Sequence, residues 1–138
     1  MNEQHLRRAI ELAVEARATG NPPFGSLLAG PDDAVLVEER NTTLTDDDIT
    51  AHPELKLARW AARHLDAATA AKTTMYTSCQ PCGMCAGALA RSGLGQVVFA
   101  LSGDQLDGLR TAGGFPAVPN DGPHLYEKAK TAVEGYYP

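Results

Sequence analysis

Cys82 and Cys85 stand three residues apart in Pro81-Cys82-Gly83-Met84-Cys85, and His52 precedes Glu54 by two in His52-Pro53-Glu54. Thiolate and imidazole are the ligands that zinc prefers in proteins. A CxxC at a helix start puts both sulfurs on one face, and the helix N-terminus favours their thiolate forms. His52 can complete a set of three ligands, which leaves Glu54 with no metal to bind. Three ligands beside a free carboxylate suit a catalytic zinc with an open fourth position. Such an ion supplies an activated water at neutral pH. Glu54 is placed to take that water's proton and hand it to a leaving group. This chemistry suits hydrolysis at an amidine-like ring carbon, with loss of ammonia.

Each half of the pattern is weak by itself. A CxxC is also a redox pair or half of a structural zinc site. Cys79 could be a fourth ligand in a closed Cys₃His set, although its place just before the Pro81 break reads as a buried thiol. A thioredoxin-like pair leaves His52 and Glu54 unexplained. His5, His64 and His124 are spread over helix faces and loops and read as surface or packing residues.

The elements that must position these groups lie in one domain, since 138 residues is ordinary domain size. Hydrophobic residues make up 43% and charged residues 21%, the balance of a globular protein that folds without disulfides. Three cysteines do not make a secreted disulfide framework, so a reducing cytoplasm is expected. No basic region followed by an apolar run opens the chain, and no run is long enough to cross a bilayer. A net charge of −5 gives no support for nucleic acid as a partner.

Periodicity predicts a helix over 2–19, with Leu6, Ala9, Ile10, Ala13, Val14 and Arg17 recurring at spacings of three and four on one face. A hairpin follows, with strands at 24–29 and 34–38 around Gly30-Pro31-Asp32-Asp33. Residues 41–50 read as a loop, and Asp46-Asp47-Asp48 within it as solvated surface or a cover for a site. A second helix starts at His52, where Pro53 suits the first turn, and buries Leu55, Ala58, Ala61, Ala62 and Leu65. Strands at 73–77 and 96–101 flank a helix over 82–92, and short helices are expected at 104–110 and 125–134. Alternation in the second half implies a parallel part to the sheet. The expected fold is α/β, a three-layer α/β/α sandwich around a mixed sheet of four or five strands.

His52-Pro53-Glu54 followed by Pro81-Cys82-Gly83-Met84-Cys85 resembles the zinc-dependent cytidine deaminase superfamily. The resemblance covers about residues 3–101. Asn21-Pro22-Pro23-Phe24-Gly25, Thr50-Ala51 and Tyr76-Thr77-Ser78-Cys79-Gln80 fit the surroundings of that pattern. It implies a cytidine deaminase-like fold, zinc on His52, Cys82 and Cys85, and Glu54 as proton shuttle. It further implies that Asn41 hydrogen-bonds the substrate ring, that Phe24 lies against it and that the Ala51 backbone contacts it. The alternatives are a turn role for Asn41 and a plain core role for Phe24. Pro53 stands where the family most often has Ala, and Gln80 where many relatives have Glu.

The Pro-Phe-Gly and CxMC forms are similar to those of guanine, cytosine and tRNA adenosine deaminases. The implied substrate is a small heterocycle: first a free base (guanine, cytosine or a triazine-like analogue), then a nucleoside, then a tRNA adenosine. A non-catalytic zinc module is the remaining reading. The resemblance also implies a homodimer. Residues about 112–138 would cover the pocket or swap between subunits, with His124, Tyr126, Tyr136 and Tyr137 as candidates for its rim.

Overall fold

The computed structural model describes residues 1–138. Helix α1 (Glu3–Ala18) starts at Asn2, whose side chain accepts from the Gln4 N–H at 2.9 Å. Its inward face is Ala9, Leu12, Ala13 and Ala16. Ile10 and Val14, expected to face inward, are 43% and 63% exposed. Close approach explains this choice of small residues. A Cβ at Gly25 would collide with Leu12 Cβ and lie 2.6 Å from the Ala13 nitrogen and the Ala9 oxygen. The missing side chain of Gly25 lets the backbone of α1 and Leu12 sit so near the sheet.

Strands β1 (Gly25–Ala29) and β2 (Val35–Arg40) form the expected antiparallel hairpin. Helix α2 (Pro53–His64) follows, with His52 at its N-cap and Pro53 in the first turn. Its buried stripe is Pro53, Glu54, Leu57, Ala58 and Ala61. The stripe is turned from the expected one: Leu57 is fully buried and Ala62 is exposed. The reason is Glu54, which occupies an inward position in phase with Leu57, Ala58 and Ala61. A short helix α3 (Ala67–Ala71), absent from the expected elements, is capped by Asp66, which accepts from the Thr69 N–H at 2.7 Å.

The chain continues through β3 (Thr74–Cys79), α4 (Gly83–Ala90), β4 (Gln96–Leu101), α5 (Gly103–Leu109) and α6 (Tyr126–Val133). The sheet has four strands in the order β2-β1-β3-β4. β1 pairs antiparallel with β2 and β3, and β3 pairs parallel with β4. Side chains of β1 alternate between the two faces. Leu27 and Ala29 join Ala9 and Tyr76 under α1, while Leu28 joins Leu57, Ala61 and Met75 beneath α2. Burying Leu27, Leu28 or Met75 contributes about 1.5–3 kcal/mol each. These two clusters make the three layers. Past Arg110 the chain packs little on the rest, and every residue from Thr111 to Pro138 is exposed.

Candidate active site

The two chemical stretches meet where α2 and α4 begin. Cys79 ends β3, and the break at Gln80-Pro81 turns the chain so that Cys82 caps α4 and Cys85 lies in its first turn. His52 Nδ1 lies 3.4 Å from Cys85 Sγ and 3.7 Å from Cys82 Sγ. The ligand atoms of His52, Cys82 and Cys85 all fall within 4.8 Å of one another. Burial pushes the His52 pKa down, which keeps its imidazole neutral and able to ligate. Burial, then the charges of Glu54 and Cys82, push the Cys85 thiol up. A divalent cation among the three groups would offset that cost and favour the Cys85 thiolate.

Glu54 is 6% exposed, and its Oε1 is a buried oxygen with no hydrogen-bond partner. Burial pushes its pKa up. Its own backbone N–H, the Cys85 thiol and the Ser26 hydroxyl pull the other way. A buried carboxylate oxygen without a partner is costly to keep, so it marks a place where a water or ligand is handled. Two sulfurs, one imidazole nitrogen and an unpartnered carboxylate beside them fit a zinc ion with an open position. Cys79 stands outside the set. It is buried, and burial, then Glu54, raise its thiol pKa. The closed four-ligand reading finds no support in this geometry, and a redox pair leaves the adjacent His52 and Glu54 unexplained. Elsewhere His5 meets Asp33 and Tyr76, His64 stacks on Trp60, and His124 pairs with Asp121.

A cavity of about 690 Å³ opens over this group, a size suited to a small organic ligand. Phe24, Asn41, Glu54, Leu106, Arg110 and Phe115 are among its lining residues. Asn41 is 1% exposed, and its Oδ1 accepts from both the N–H and the hydroxyl of Thr43 at 2.9 Å. Its amide N–H₂ has no hydrogen-bond partner in the protein. The Asn41 side chain therefore makes the turn and also faces the cavity. Phe24 is half-buried and lines the wall. Ala51 is buried behind that wall. Its N–H donates to Asp48 O and its carbonyl accepts from Thr42 N–H, both at 3.1 Å. Asp48 braces this loop by accepting from the Thr50 N–H and hydroxyl. His124, Tyr126, Tyr136 and Tyr137 are exposed and do not line this cavity. A smaller cavity of about 190 Å³ between β2 and α2 is lined by other residues, Arg59, Trp60 and Arg63 among them.

The description "Cytidine and deoxycytidylate deaminase zinc-binding region" belongs to the family whose sequence profile matches residues 1–101. The chain belongs to this family. A probable cytosine deaminase of Schizosaccharomyces pombe is 36% identical over 105 residues, covering 74% of this chain and 61% of that protein. A tRNA-specific adenosine deaminase of Haemophilus influenzae is 34% identical over 101 residues, covering 73% and 58%. The X-ray structure of guanine deaminase from Bacillus subtilis superposes with a TM-score of 0.70 at 25% identity, covering 99% of this chain and 94% of that one. The chain thus spans about three-fifths of the length of these two curated relatives. The family's zinc is the cofactor, and His52, Cys82 and Cys85 are the group placed for it.

Sequence reasoning missed Ile49, Met84, Leu106, Arg110 and Phe115 as pocket walls. One signal was available for two of them. Ser102 and Gln105 form a capping box that starts α5, which fixes Leu106 on it and Arg110 at its end.

Proposed function

We propose that this protein is a hydrolytic deaminase that removes ammonia from a small amino-substituted heterocycle. The observation that carries the reading is the unpartnered, buried Glu54 Oε1 beside a His-Cys-Cys metal group at the base of a cavity. Zinc on His52, Cys82 and Cys85 supplies Lewis acidity and an activated water at neutral pH. Glu54 accepts the water's proton at its carboxylate and passes it to a ring nitrogen; it then takes the second proton, from the added hydroxyl, and gives it to the amine as the C–N bond breaks and the ring carbonyl forms. The Glu54 pKa, raised by burial, favours the uptake of the water's proton, since a more basic carboxylate is the better acceptor. Asn41 donates from its free amide to a ring acceptor, and Phe24 gives the ring an apolar wall.

The substrate is a free base first, guanine, cytosine or a triazine-like analogue, and a nucleoside second. The relatives' activities on cytosine, guanine and tRNA adenosine support the class, and the net charge of −5 favours the small molecules over tRNA. The whole chain works as one domain in the cytoplasm, as a homodimer. The segment after residue 112, with Phe115, Leu125, Tyr126, Tyr136 and Tyr137 more than half exposed, then covers the pocket of its own or a neighbouring subunit. No helix is long and apolar enough to cross a membrane.

The test is an ammonia-release screen of the zinc-loaded protein over free bases, nucleosides, triazines and a tRNA anticodon stem. Release from at least one small heterocycle, faster than from the tRNA stem, is expected. Release from none of them refutes the reading.

A further inference from the structure

Arg110 is the one cation among the residues that line the large cavity. It sits at the C-terminal end of α5, its backbone N–H bonded to Asp107 O at 3.3 Å. That helix is pinned at its other end. Gln80 Oε1 accepts from the Gly103 N–H at 2.9 Å, and the Gln80 N–H donates to Leu101 O at 2.7 Å. The guanidinium, by contrast, is hardly engaged. Its one charged neighbour is Asp107, 3.9 Å from Nε, and Arg110 makes no side-chain hydrogen bond to the protein. A guanidinium offers five N–H donors and no acceptor.

The other polar groups of the cavity lean the same way. Asn41 Oδ1 is occupied by Thr43, so its side chain too presents donors. Gln80 Oε1 is occupied by Gly103. Apart from Glu54 and the metal ligands, the side chains that face the cavity are donors or apolar. A donor-rich, acceptor-poor pocket binds a ligand that carries oxygen acceptors, and leaves extra exocyclic amino groups without partners.

We propose that Arg110 is a specificity residue that reads an exocyclic carbonyl oxygen on the substrate ring, so that this protein takes amino-oxo heterocycles in preference to amino-heterocycles that lack oxygen. The inference rests on the cavity being the deaminase site. It narrows the substrate class within that reading: cytosine and guanine carry such an oxygen, while adenine and fully aminated triazines do not. A single charge-assisted hydrogen bond to the oxygen corresponds to a preference of about 10- to 100-fold.

Two matched pairs test it: cytosine against 4-aminopyrimidine, and guanine against 2-aminopurine. Binding is measured calorimetrically on zinc-loaded Glu54→Gln protein, with the wild-type side chain, Met or Lys at position 110. In at least one pair the oxygen-bearing member is expected to bind at least about 10-fold tighter. Arg110→Met should shrink that ratio to about twofold, and Arg110→Lys should keep part of it. Thermal melts check that the variants fold, which the position of Arg110 at the exposed end of α5 favours. Equal binding within both pairs, no binding of either oxygen-bearing base, or a preference that survives Arg110→Met overturns the inference. Ammonia release by the wild-type protein is scored separately. A preference without ammonia release refutes the deaminase reading alone, and ammonia release without a preference refutes the role of Arg110 alone.

Discussion

Replacing Glu54 with Gln separates chemistry from architecture at this site. Glu54 points inward from α2 beside Leu57, Ala58 and Ala61, and one of its oxygens has no partner. Gln has nearly the same shape, carries no charge and cannot shuttle a proton. Loss of a positioned acid–base group lowers turnover about 10²- to 10⁴-fold, so kcat should fall by that much while zinc content stays at that of the wild type. Stability should move the other way. An unsatisfied buried polar group costs about 1–3 kcal/mol, and more when charged. Gln leaves the oxygen unpartnered but removes the buried charge, so the metal-free variant should be more stable by roughly 1–3 kcal/mol. For a chain of this size that corresponds to a rise in Tm on the order of 3–10 °C. The assays are ammonia release, metal analysis and thermal unfolding of chelated protein at neutral pH. A variant that turns over at the wild-type rate, or that melts below the wild type when metal-free, refutes the reasoning.

Other residues give independent checks. Asn41→Asp keeps the acceptor that Thr43 needs but removes the free donor, so KM should rise about 10-fold with the fold retained; an unchanged KM removes Asn41 from the binding site. Chelation should free the exposed Cys82 for alkylation first, while the buried Cys79 and Cys85, whose thiol pKa values are both raised by burial, lag behind it, as mass spectrometry of the modified protein will show. Asp66 is held below the ordinary carboxylate range by the Thr69 N–H and hydroxyl. A depressed folded pKa gives stability that is present above the ordinary carboxylate pKa and is lost as pH falls through the folded value. Urea midpoints of Asp66→Ala against pH should therefore fall less steeply on the acid side than those of the wild type. Gly25→Ala should destabilise by about 1–3 kcal/mol through overpacking against α1, read from the denaturation midpoint.

What was legible in the chain was local. The CxxC and HxE spacings, the helix start at Pro53 and the hairpin turn are set by residues next to one another, and each stands where the sequence puts it. The inward faces of α1 and α2 were harder to read. Side-chain size suggested that Ile10 and Val14 face the sheet, but α1 instead turns Ala9, Leu12, Ala13 and Ala16 inward, with Ala9, Leu12 and Ala13 packed closely against Gly25. On α2 an inward carboxylate breaks the apolar pattern, so the period was read one step out of phase. Helix α3 was invisible because Ala-Ala-Thr-Ala-Ala has no amphipathic pattern and depends on Asp66 to start it. Arg110 could not be assigned to the pocket because its place depends on how α5 docks through Gln80, a contact between residues 23 apart in sequence.

Gly25 also bears on how a mutational map of this protein would read. The residue touches neither metal ligand nor cavity, yet its N–H donates to Ser78 Oγ at 3.1 Å and its Cα faces the backbone of α1. The next residue, Ser26, is the hydroxyl beside Glu54. A scan of every substitution would therefore score Gly25 as intolerant as His52 or Glu54. Ranking positions by tolerance alone would place a spacer among the chemical groups. An abundance measurement alongside the activity measurement tells them apart: substitutions at Gly25 deplete the protein, whereas Glu54→Gln leaves it plentiful and inert.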